Sequence, residues 1–180
     1  ANGDKVWDKT FGGSGDDRLY SIIATSDGGF LLAGASESSI SGNKTATNYG
    51  SFDYWVVKIN TNGDKVWDKT FGGSGFDGLY SIIATSDDGF LLAGHSNASL
   101  SGNRAAPSYG SSDYWMVKIN ANGDKVWDKA FGGSGEDGLT SIIATSDGGF
   151  LLGGRSSSPV SRSKTAPNYG VHDFWVVKVK

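Results

Sequence analysis

Two histidines, nineteen carboxylates and no cysteine make up the reactive stock of this 180-residue chain. Without cysteine there is no thiolate nucleophile, disulfide, thiolate zinc site or iron–sulfur cluster. His95 and His172 stand at unrelated places in the sequence pattern and read as surface residues, not as a repeated ligand set. Asp17, Asp77 and Asp137 follow glycine-rich runs and, with Asp16 or Glu136, offer the oxygen ligands that calcium takes. The simpler reading is that they cap turns by accepting backbone hydrogen bonds. Asn62-Gly63-Asp64 lacks carboxylates at alternating positions and reads as a hairpin turn. Gly12-Gly13-Ser14-Gly15 is followed by neither a helical pattern nor Lys-Ser/Thr, as a phosphate loop would be. Tyr49, Tyr109 and Tyr169, each before a glycine, have the ring to stack on a sugar or to fold over their own loops. Asn43-Lys44-Thr45 and Asn97-Ala98-Ser99 match glycosylation acceptors. No nucleophile–base pair stands at a suggestive spacing, so the chain reads as non-catalytic, with no metal and no cofactor.

What positions these residues is a repeat. GDKVWDK recurs at Gly3, Gly63 and Gly123, FGGSG at Phe11, Phe71 and Phe131, and SIIATSD at Ser21, Ser81 and Ser141. Every offset is 60, and units 1–60 and 61–120 agree at 46 of 60 positions. The chain is therefore three copies of one unit, 1–60, 61–120 and 121–180. Within a unit, a first strand is predicted at about Leu19–Ser26, and the turn Asp27-Gly28-Gly29 leads to a second strand at about Phe30–Ala35. A Ser/Thr/Asn/Gly-rich loop covers about Ser36–Phe52. A third strand, Asp53–Ile59, and a fourth, Lys65–Phe71, flank the turn Asn60-Thr61-Asn62-Gly63. No stretch has a helical period, and 28 glycines argue against helix bundles.

Three four-stranded antiparallel 60-residue repeats predict an all-β fold of β-propeller blades, each burying both faces against its neighbours. A β-solenoid and a β-trefoil are the competing all-β readings; the solenoid repeat is usually shorter, and the trefoil has a shorter unit and a different core.

The run Asp53-Tyr-Trp-Val-Val-Lys-Ile-Asn, the run from Asn62 through Gly75 and the run Ser26-Asp-Gly-Gly-Phe-Leu-Leu-Ala-Gly together resemble bacterial β-propeller repeats of secreted and cell-surface proteins, especially those of Bacteroidetes-type bacteria. The resemblance spans the chain and rests on turn-and-strand motifs. It implies an extracellular or cell-surface setting and says little about activity.

The first residues, about 4–11, match a fourth strand, and the last, 173–179, a third strand with no fourth after it. Lys5, Val6, Trp7, Asp8, Lys9, Thr10 and Phe11 are thus the sequence complement of the edge formed by Asp173, Phe174, Trp175, Val176, Val177, Lys178 and Val179. Three blades are too few for a ring, so the expectation is intermolecular pairing: a homo-oligomeric ring of six or nine blades, or a filament if the rotation does not close. The other explanation is that further blades belong to a longer chain. Differences among the units collect on one face: Asp16/Phe76/Glu136, Arg18/Gly78/Gly138, Ala35/His95/Arg155 and Phe52/Ser112/His172. With Tyr49, Tyr109 and Tyr169, His95, Arg155 and His172 make this the candidate ligand face, with glycans as the alternative partner, although unconstrained loops also drift. A net charge of −3 gives no pull toward nucleic acid, and no apolar run approaches the ~18 residues of a membrane helix.

Overall fold

A computed structural model describes residues 2–180, and the described chain forms eleven strands and no helix. The first sheet has the order β1 (Asp17–Ala24), β2 (Phe30–Ser36), β3 (Asp53–Ile59) and β4 (Lys65–Phe71), every neighbour antiparallel. The second repeats it with β5 (Asp77–Ala84), β6 (Phe90–Ser96), β7 (Asp113–Ile119) and β8 (Lys125–Phe131). The third has three strands, β9 (Asp137–Ala144), β10 (Phe150–Ser156) and β11 (Asp173–Val179).

The third and fourth strands of the unit span the expected residues. The first is shifted: it runs Asp17–Ala24, not Leu19–Ser26. Asp17 pairs with Ser36, which draws that serine into β2, while Thr25 leaves the strand to close the turn by bonding Gly28 and Gly29. Gly28 has φ +82°, the left-handed conformation such a turn needs. β1 also carries a bulge at Tyr20, between Leu19 paired with Gly34 and Ser21 paired with Ala33. A side chain at Gly34 would strike the carbonyl of Arg18, so glycine opposite the bulge permits the close backbone approach.

The sheets stack through their faces. β5 rests against β1, β2 and β3, and β9 against β5, β6 and β7. Leu31, Tyr54 and Val56 of the first sheet meet Leu79, Ile82 and Trp115 of the second. Leu91, Tyr114 and Met116 of the second meet Leu139, Ile142 and Trp175 of the third. β3 and β7 are buried along their whole length, as strands covered on both faces must be. Both joints carry the same polar pin: the Tyr54 hydroxyl donates to the Trp115 carbonyl at 2.9 Å, and Tyr114 to the Trp175 carbonyl at 2.8 Å.

The outermost faces lack this cover. Tyr54 and Tyr114 are 0% exposed, but Phe174 at the same place in the third sheet is 97% exposed. Leu19 of the first sheet is 52% exposed, where Leu79 and Leu139 are 0%. In urea unfolding of the dilute chain, Tyr114→Ala should therefore cost about 3–5 kcal/mol, whereas Phe174→Ala should change stability by less than about 0.5 kcal/mol.

Candidate assembly interface

Each four-stranded sheet is fastened to its own long loop by a buried aspartate on the fourth strand. Asp68 accepts the Trp55 indole N–H at 3.1 Å, the backbone N–H groups of Thr45 and Ala46 at 2.9 Å each, the Thr45 hydroxyl, and Lys65 at 2.8 Å. Asp128 does the same for Trp115, Ala105, Ala106 and Lys125. Burial works to raise both carboxyls, but these donors outweigh it and hold them below the usual carboxylate range. The fourth strand thereby fastens both the tryptophan of its neighbour strand and the long loop.

Asp8 is the third member of this set and lacks those partners. Its side chain is exposed, with only Lys5 nearby at 3.6 Å. Residues 4–11 have no strand pairing within the chain, yet they lie against the first sheet as β4 lies against the second. Lys9 bonds Asp64 at 2.9 Å, as Lys69 bonds Asp124 at 3.1 Å. The Asn43 amide donates to the Thr10 carbonyl at 2.7 Å, as Asn103 donates to Thr70 at 2.8 Å. Trp7 packs on Gly63 as Trp67 packs on Gly123. Phe11 joins Trp55, Val57 and Ile59 in a small core. Between this segment and β1–β3 lies an apolar cleft of about 540 Å³, walled by Trp7, Phe11, Leu19, Ile22, Leu32 and Trp55. At the other end of the chain, β11 has a free edge and exposes Phe174 and Val176.

A second feature recurs at the joints. Asp53 accepts the Tyr49 N–H at 2.6 Å, and Asp77 accepts the Gly73 N–H at 2.8 Å. Their carboxyls converge on Gly72, where a Cβ would collide with Asp53 Oδ1 and lie 2.8 Å from Asp77 Oδ2. Asp113 and Asp137 converge on Gly132 in the same way. All four residues are fully buried, and the Oδ1 of each has no hydrogen-bond partner. Burial, aided by the facing Asp77, pushes Asp53 up to about 7, and burial raises Asp77 and Asp113 as well. Lys44, Arg104 and Lys164 are buried in the loops of the three units. Asp17, Asp77 and Asp137 do accept backbone hydrogen bonds, from Gly13, Gly73 and Gly133 four residues upstream. The GGSG amides are filled by loop side chains: Gly12, Ser14 and Gly15 donate to Asn43, Ser41 and Ser38, each at 2.9 Å.

The variable residues fall into one cluster near the first strands. His95 stacks on Phe76 and on Tyr80, with ring centres 5.8 and 5.1 Å away, and Tyr80 contacts Tyr20 at 4.9 Å. Arg155 bonds Glu136 at 2.6 Å, and His172 Nε2 lies 3.8 Å from the same carboxylate. His95, expected at the surface, is half-buried, and burial lowers its pKa. Tyr49 does not fold over its own loop but lies on Gly102 of the next unit. Tyr109 is half-buried against the core, and Tyr169 is 88% exposed. The loop tyrosines therefore belong to the joints, and none stacks with the His95 cluster among the described residues.

No protein-family model matches the chain, and neither does any curated protein.

Because burial raises the carboxyls of Asp53, Asp77 and Asp113 above the value near 4 that they have when unfolded, Asp53 to about 7, stability should rise as pH falls from 8 to about 5. Below about pH 4 it should fall again as Asp68 and Asp128 lose their charge. Urea midpoints across pH check both limbs, and Asp53→Asn should flatten the upper one.

Proposed function

We propose that the chain is a non-catalytic β-propeller building block that joins copies of itself head to tail, β11 of one copy pairing with residues 5–11 of the next. The observation that carries this reading is the unpaired N-terminal segment, which stands as a fourth strand against the first sheet while the three strands it would complete are absent from that end. The chain's other end offers a sheet of those three strands. In the joined state Asp8 gains the Trp175 indole and the loop amides of residues 165 and 166 by the pattern of Asp68 and Asp128. Phe174 and Val176 enter the apolar cleft, and Tyr169 covers the loop around Gly42. A copy supplies a surface at each end, so the contact is heterologous and yields a closed ring or a filament. The resemblance of the repeats to secreted bacterial propellers supports an extracellular or cell-surface setting.

A second reading has a specific observation behind it. The residues that break the repeat, His95, Arg155 and His172 with Glu136, Phe76 and Tyr80, gather in one place and suit a carbohydrate or protein ligand. A glycan array with uniformly flat signals would remove the carbohydrate form of this reading.

Sedimentation at micromolar concentration should give discrete oligomers of the 18.8 kDa chain or fibres, and deletion of residues 1–11 should leave a folded monomer. Asp8→Ala should weaken association by about tenfold or more, since each hydrogen bond to a charged group contributes roughly 1.5–3 kcal/mol. A chain that stays monomeric throughout would assign the open ends to further repeats of a longer polypeptide.

A further inference from the structure

We propose that the head-to-tail joint is tightened by acid, because closing it buries Asp173 against Asp17 of the next copy and sets His172 opposite that copy's Asp16. The inference rests on the assembly reading above and concerns how that assembly is regulated.

The two internal joints are the templates. In each, a third-strand aspartate meets the first-strand aspartate of the following sheet: Asp53 with Asp77 at Gly72, Asp113 with Asp137 at Gly132. Two buried carboxylates in such proximity do not both stay ionised, and a proton shared between them satisfies oxygens that otherwise have no donor. The same offsets bring Asp173 to Asp17 of the next copy, at Gly12. In the separate chain Asp173 is only half-buried and holds the N–H groups of Tyr169 and Gly170. Asp17 is bound through Oδ2 to Gly13 and Ser38, and its Oδ1 is already buried without a partner. Joining therefore takes a solvated carboxyl into a site built for a protonated pair.

A second group acts in the same direction. The residue directly before the third-strand aspartate differs in every unit: Phe52 meets Phe76, with ring centres 5.7 Å apart, and Ser112 bridges to Glu136. By the same offset, His172 meets Asp16 of the next copy. Protonated imidazole pairs with that carboxylate, and neutral imidazole does not.

The charged groups around the joint are this chain's Lys164, Glu136 and Arg155, and the next copy's Lys44, Arg18 and Glu37. Lys44 and Arg104 flank the Asp53–Asp77 pair in the corresponding way, and both carboxyls remain raised despite them. Arg18 bonds Asp16 within its own chain, and Glu136 already lies by His172, so neither forms a substitute for a proton on the Asp173–Asp17 pair.

The sign follows from proton counting. The joined state binds more protons than separate chains in the range from about pH 4 to 7, so association strengthens as pH falls through it. Sedimentation velocity of the full chain at fixed ionic strength should show association at least about tenfold tighter at pH 5.5 than at pH 8, the factor that one unit of pKa shift provides. Asp173→Asn should tighten association at pH 8 and remove most of the dependence, and Asp173→Asn with His172→Gln should remove the rest; circular dichroism of each variant checks that it folds. Association of equal strength at both pH values, or stronger at pH 8, overturns the proton linkage and leaves assembly standing. Absence of association at every pH overturns the assembly reading, and this inference with it.

Discussion

A β-sheet that is apolar on both faces is stable only when something covers each of them, and the arrangement of this chain follows from that requirement. The middle sheet meets it: β7 is buried end to end, with Trp115 and Tyr114 enclosed on opposite sides. The flanking sheets meet it fully on one side only, although residues 4–11 shelter part of the first sheet's outer face, where Phe11 packs on Trp55, Val57 and Ile59. Leu19 and Ile22 at one end and Phe174 and Val176 at the other are the same residues of the repeat that are sealed at the internal joints. Their exposure reflects position in the array, since the side chains themselves are equivalent or nearly so.

The polar groups obey the same geometry. Asp68 and Asp128 each gather an indole, a lysine and two loop amides, which couples the fourth strand to the long loop and to the tryptophan of the third strand beside it. Asp53 with Asp77 and Asp113 with Asp137 place carboxyls where a negative charge is poorly solvated. One set of carboxyls favours the fold when ionised and the other when protonated, so the fold is sensitive to pH from both directions.

Much of the architecture was legible in the sequence because a strict 60-residue period exposes it. The third and fourth strands and the Asp-Gly-Gly and Asn-Gly turns could be read from alternation and from glycine at left-handed positions. The bulge at Tyr20 was not legible: it shifts register by one residue and leaves no break in the apolar pattern. The carboxyl pairs were also missed, since each aspartate partners one in a neighbouring unit and spacing within a unit is silent about contacts between units. A signal did exist, in that Asp53, Asp113 and Asp173 each open the third strand, a charge at the head of an otherwise largely apolar run in every copy. Tyr49 was misplaced for the same reason, its contact being with Gly102 of the following unit.

One substitution distinguishes the end of the array from its interior. Tyr54 and Tyr114 each pin the next sheet through a hydroxyl, and Phe174 has none to offer. In the proposed assembly, a joint made through Phe174 would retain ring packing but forgo that bond, and would be softer than either joint inside the chain by about 1 kcal/mol. Under mechanical load or dilution, an assembly of such chains would part between polypeptides before any polypeptide came apart, which leaves each three-unit chain as the piece that exchanges.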